Sequence, residues 1–127
     1  MGKPDTKKVL IVDDHADMGL SMKNFFQLNG YAVDVAMNGP DAVKLAGEKE
    51  YTVVVSDLVM ESMDGVDVIQ KIKLARPGTL FFIMTAYPSE KRIQDAMDAG
   101  VIRIFKKPFS PMEMCKVIEE EVAKLRG

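Results

Sequence analysis

The feature that most constrains this chain is a strict alternation of short apolar runs with longer segments of helical spacing. The apolar runs lie at 8–12, 31–36, 52–56, 80–85 and 101–106. Most are rich in Val, Ile or Phe and apolar at nearly every position, which suits a strand covered on both faces. Between them, apolar side chains recur at the spacing of one helix face. Met18, Met22 and Phe25 mark a first helix, and Ala42, Val43 and Ala46 a second. Val68, Ile69 and Ile72 mark a third, Ile93, Ala96 and Met97 a fourth, and Cys115, Ile118, Val122 and Leu125 a fifth. Five such pairs in sequence predict an α/β fold of the (βα)5 type. Its five-stranded sheet is parallel, with right-handed crossovers and helices on both faces.

The punctuation agrees with this division. Gly39 and Pro40 read as a cap and first helical position of the second helix. Ser110-Pro111-Met112-Glu113 reads as a capping box, with Phe109 and Met114 as its hydrophobic staple. Gly30 and Gly100 fall where helices end and strands begin. A chain of 127 residues suits one domain. Residues 1–7 are polar and read as a flexible leader, and 8–127 as the domain. No repeat, low-complexity segment or interdomain linker is visible.

Composition narrows the function classes. Apolar residues at 47% allow a real core, and a net charge of −2 offers no basic footprint for nucleic acid. No apolar run approaches the roughly 20 residues that span a bilayer. Cys115 is the only cysteine, so no internal disulfide forms, which suits a reducing cytoplasm. The ten methionines read as flexible core filler.

In an open α/β sheet, ligands bind beyond the carboxyl ends of the strands. There the sequence places Asp13-Asp14 after strand one, Asp57 after strand three, Thr85 after strand four and Lys106-Lys107-Pro108 after strand five. Three converging carboxylates repel one another, and one lysine does not offset them. A hard divalent cation with oxygen ligands does, and Mg2+ fits. Asp57 then has the character of a carboxylate nucleophile toward a phosphoryl donor, with Lys107 and the ion neutralising the transferring group. Taken singly, each residue has a plainer role. Asp14 serves as a helix cap, Thr85 as a strand residue and Lys107 as a solvated loop residue. His15 reads as a solvated first-turn residue without chemistry. The set as a whole resists that account.

The strings that carry this chemistry are Val9-Leu10-Ile11-Val12-Asp13-Asp14-His15, Asp57-Leu58-Val59-Met60 with Asp64-Gly65, Thr85-Ala86-Tyr87, and Lys107-Pro108-Phe109. In this order they resemble a two-component response-regulator receiver domain, across nearly the whole chain. The resemblance implies the flavodoxin-like strand order 2-1-3-4-5. It implies Mg2+ held by Asp13, Asp14, Asp57 and the backbone carbonyl of Val59, with phosphoryl oxygens held by Thr85, the Ala86 amide and Lys107. Asp57 would accept phosphate from a sensor histidine kinase or a small donor such as acetyl phosphate. The domain would be no enzyme beyond its own phosphorylation and dephosphorylation. It would work in the cytoplasm, with an output domain or effector on the face of helix four, strand five and helix five, or as a homodimer. A cis peptide is expected at Lys107–Pro108.

Three positions depart from the family pattern. Ile104 stands where an aromatic switch residue is common, with Phe105 beside it. Glu61 replaces a frequent proline, and Pro88 follows Tyr87, either stiffening that loop or ending the turn before Ser89. Val59 and Tyr87 flank the acceptor in the family and tune hydrolysis. An apolar Val59 cannot orient water, so a long-lived phosphoryl state is expected. The rival readings are weaker. A dehalogenase-type phosphatase needs a second Asp where Val59 stands, and a flavodoxin-type module needs a Ser/Thr/Gly loop where Asp13-Asp14-His15 stand. A receiver-like interaction module without phosphotransfer has no need of the complete acid pocket.

Overall fold

The computed structural model describes residues 7–126. The leader expected over 1–7 therefore lies, apart from Lys7, outside the described residues. Ten elements alternate without exception: β1 (Lys8–Val12), α1 (Ala16–Leu28), β2 (Ala32–Ala36), α2 (Gly39–Glu48), β3 (Val53–Asp57), α3 (Gly65–Ala75), β4 (Leu80–Thr85), α4 (Glu90–Asp98), β5 (Val101–Lys106) and α5 (Pro111–Arg126). All pairings are parallel, in the order β2-β1-β3-β4-β5. The expected (βα)5 flavodoxin-like architecture is the one observed.

The apolar runs explain the layering. β3 is buried at every position because both its faces are covered. Alternate residues of each strand feed two cores. One contains Leu10, Val12, Val54, Phe81 and Ile83 under α2, α3 and α4. The other contains Val9, Ile11, Val55, Phe82 and Met84 under α1 and α5, with Met22, Phe26, Cys115 and Ile118. The neighbours Ile104 and Phe105 fall on opposite sides of this division. Ile104 packs against the first core. Phe105 packs against the second, its ring stacked on Phe82 and near Phe109.

Helix starts follow local chemistry, with two corrections to the sequence reading. The cap of α2 is Asn38, not Gly39: the Asp41 amide donates to Asn38 Oδ1 at 2.8 Å, and Gly39 is already helical. Asp14 does not cap α1. That position is His15, whose side chain makes no capping bond. Ser110 accepts from the Glu113 amide at 3.3 Å as expected, and Ser89 after Pro88 caps α4 through the Arg92 amide at 3.2 Å. Gly30 and Gly100 adopt φ of 91° and 103°, the left-handed conformation that ends α1 and α4. The Lys107–Pro108 peptide is cis. No helix among the described residues is long and apolar enough to cross a membrane.

Candidate functional site

The strand order reverses at β1, which has β2 on one side and β3 on the other. The loops after β1 and β3 thus leave side by side, and they carry the acids. Ligand atoms of Asp13, Asp14, His15 and Asp57 all lie within 4.8 Å of one another. Asp13 is fully buried and Asp57 is 5% exposed. The chain keeps these carboxylates out of water at a substantial desolvation cost.

Lys107 supplies the compensating charge. Its Nζ lies 2.9 Å from Asp57 Oδ2 and 3.6 Å from Asp13 Oδ2. Among the described residues it is the only lysine or arginine within ion-pair distance of these acids. Burial alone would lower the lysine pKa. The hydrogen bond and charge of Asp57, helped by Asp13, win and raise it above the ordinary value. One cation still does not satisfy three acids. Asp13 Oδ2 and Asp14 Oδ1 are buried yet make no hydrogen bond. Buried carboxylate oxygens without hydrogen bonds, in a cluster of acids within 4.8 Å of one another, are the donor set that a hard divalent cation satisfies. The acidic pocket is therefore able to hold a metal ion.

The other expected residues assemble around it. Thr85 is buried at the end of β4, beside the strand that delivers Asp57. Its Oγ1 accepts from the Tyr87 amide at 3.1 Å, and its carbonyl accepts from the Lys107 amide at 2.8 Å. The loops after β4 and β5 are thereby joined. Ala86 follows Thr85 directly in the chain. Val59 is 61% exposed and Tyr87 84%, so both stand at the open side. The Val59 amide donates to Asp57 Oδ1 at 3.3 Å, and the Glu61 amide reaches Asp14 Oδ2 at 3.5 Å. Ile104 lies one core layer away from Phe105, as described above.

Gly65 fixes how closely α3 approaches Asp57. A Cβ there would collide with the Asp57 carbonyl oxygen and stand 2.9 Å from Leu58 Cα. Its amide donates to the Leu58 carbonyl at 2.8 Å, which closes the base of the 59–64 loop.

Sequence reasoning missed three contacts. His15 is 72% exposed, as a solvated residue should be, but its Nδ1 lies 3.0 Å from Asp13 Oδ1 and 3.2 Å from Asp14 Oδ1. The Arg92 guanidinium bonds the α3 cap Asp64, tying α4 to the end of the 59–64 loop. Ser62 Oγ accepts from the Gly39 amide at 3.1 Å, tying that loop to α2. Only His15, adjacent in sequence to the acids, carried a signal that could have shown its contact in advance.

The comparisons agree with the geometry. The family model described as the response regulator receiver domain matches residues 9–119. Chemotaxis protein CheY of Thermotoga maritima is 31% identical, over 90% of this chain and 96% of that protein. Transcriptional regulatory protein ResD of Bacillus subtilis is also 31% identical, over 90% of this chain but 47% of its own length. The chain thus spans about half of that relative and nearly all of the other. A CheY-like receiver domain structure from Methanospirillum hungatei superposes with a TM-score of 0.92 at 24% identity, covering 94% of this chain and 96% of that one. A buried acid pocket at the strand switch point and a family match over most of the chain lead to one conclusion: the protein belongs to the response regulator receiver domain family of two-component signalling.

Proposed function

We propose that the protein is a phosphorylation switch in which Asp57 accepts a phosphoryl group from a sensor histidine kinase or a small phosphodonor. The observation that carries this reading is the Lys107–Asp57 contact at 2.9 Å beside two buried carboxylate oxygens that make no hydrogen bond. The lysine holds the acceptor and supplies positive charge where a transferring phosphoryl group gathers negative charge. Asp13, Asp14, Asp57 and the Val59 carbonyl would hold Mg2+. Bound there, the ion supplies charge neutralisation for an incoming phosphoryl group. Thr85, the Ala86 amide and Lys107 would take the phosphoryl oxygens. Thr85 and Lys107 are suited to act together because their backbones are bonded.

The domain relays state by shifting populations between two loop arrangements. The face of α4, β5 and α5 is the assigned readout, toward an output domain, an effector or a second copy of the chain. Exposed Met97 on α4 and Met112 on α5 offer apolar contact there. The chain acts in the cytoplasm and catalyses only its own phosphorylation and dephosphorylation.

Incubation with Mg2+ and acetyl phosphate, followed by intact mass, tests the core of this reading. The expected result is a gain of one phosphoryl group that needs Mg2+ and disappears in Asp57→Asn. No gain from acetyl phosphate or a kinase would leave a receiver-like interaction module.

A further inference from the structure

We infer that His15 is a nitrogen ligand in the acid pocket, giving it preferential affinity for borderline transition ions such as Zn2+ and Ni2+ over Mg2+. This rests on the reading of the pocket as a divalent-cation site and deepens it. The geometry comes first. Neighbouring ligands of an ion with bonds of about 2.1 Å stand about 3.0 Å apart in an octahedral shell and about 3.4 Å apart in a tetrahedral one. His15 Nδ1 lies 3.0 Å from Asp13 Oδ1 and 3.2 Å from Asp14 Oδ1. The second of these oxygens is one of the two buried atoms without a hydrogen bond, and the other, Asp13 Oδ2, belongs to a fully buried side chain.

The ring is also held in place. The His15 amide donates to Asp13 Oδ1 at 2.9 Å and the ring Nδ1 is hydrogen-bonded to the same oxygen at 3.0 Å, which seats the ring over the pocket before any ion arrives. The side chain makes no capping bond to α1, so its ring contacts are those to the two acids, and an ion takes the place of the proton that Nδ1 shares with Asp13 Oδ1. Chemistry then sets the preference. Mg2+ favours carboxylate and water oxygens, whereas Zn2+ and Ni2+ accept imidazole readily and bind mixed nitrogen and oxygen sets more tightly. A neutral imidazole nitrogen in place of one oxygen therefore strengthens the softer ions and leaves Mg2+ nearly indifferent.

The sole histidine makes the test direct, because one ring gives one pair of imidazole nitrogen signals. Nitrogen-15 NMR of the intact chain is recorded during titration with Zn2+ alone and with Mg2+ alone. The expected result is a saturable shift of Nδ1 with Zn2+ and none of comparable size with Mg2+. Calorimetry of His15→Ala should show Zn2+ and Ni2+ binding weakened by about tenfold or more, the scale set by lost ligand support, with Mg2+ binding unchanged. Asp13→Asn should weaken all three ions. Absence of Mg2+ binding to the wild type would sink the acid-pocket reading itself. Mg2+ binding with an unshifted His15 ring, or Zn2+ affinity equal in His15→Ala, would overturn the nitrogen ligand alone. Zn2+ binding that survives Asp13→Asn would place the ion elsewhere and overturn it as well.

Discussion

Asp13→Asn should make the metal-free protein more stable, although it alters a fully buried residue. At an effective dielectric of about 20, two like unit charges 4.8 Å apart repel by about 3.5 kcal/mol. Asp13 faces Asp14 and Asp57, both within that distance, so it carries at least about 7 kcal/mol of repulsion on this scale. The attraction of Lys107 at 3.6 Å returns only about 4.6 kcal/mol. Asparagine removes both effects and keeps the oxygen that accepts from the His15 amide. Its amide can also donate to the neighbouring carboxylates. The difference favours the variant by about 2 kcal/mol, equivalent to roughly 8 °C in Tm for a domain of this size. Mg2+ should reverse the order or level it, because at a hundredfold excess over Kd a bound ion adds about 2.7 kcal/mol to the wild type only. Urea denaturation with EDTA and with Mg2+ measures both. A variant less stable than wild type in EDTA would refute the electrostatic argument, and equal stabilisation of both proteins by Mg2+ would remove Asp13 from the ion site.

Three further outcomes are expected. Gly65→Ala should cost about 1–3 kcal/mol by forcing the helix off the Asp57 carbonyl, and should weaken Mg2+ binding; unchanged chemical denaturation would show that α3 moves freely. Val59→Asn should speed loss of the phosphoryl group several-fold by giving water a polar partner at an exposed position, and a slower decay by intact mass would count against that role. The Lys107 pKa is raised on folding, so its ion pairs add stability that is complete below the ordinary lysine value and fades as pH rises through the higher folded one. The stability lead of wild type over Lys107→Met should therefore stay level through neutral pH and narrow only in strong alkali. Narrowing near neutrality would contradict the raised value.

The fold was legible because its signals are local and repetitive. Each strand is apolar at nearly every position, and each helix repeats one apolar face, so the element order and a sheet covered by helices on both faces follow from spacing alone. The site was legible because the chemistry falls directly after strands, where Asp13, Asp14, Asp57, Thr85 and Lys107 stand within one or two residues of a strand end. What could not be read are links between residues far apart in the chain. Arg92 reaches Asp64 across 28 positions, and Gly39 reaches Ser62 across 23. Nothing in either local sequence distinguishes these side chains from solvated ones. The Asn38 cap was missed for a different reason: Gly-Pro is the stronger-looking signal, but the asparagine beside it holds the amide. His15 shows the limit of exposure as a guide, since a largely solvated ring still touches two acids.

The bond from the Gly65 amide to the Leu58 carbonyl has one more consequence. It joins the two ends of the segment 59–64, so that segment is a handle on a fixed base. Its exposed residues Val59 and Glu61 can be exchanged without opening that base, whereas Asp64 at its end caps α3 and bonds Arg92. Its rim carries Val59 and Glu61, the latter standing where the family often has proline, while Gly65 at the base admits no larger side chain. The chain thus separates what may drift from what must stay: point changes at the exposed rim leave intact the closed base that presents Asp57.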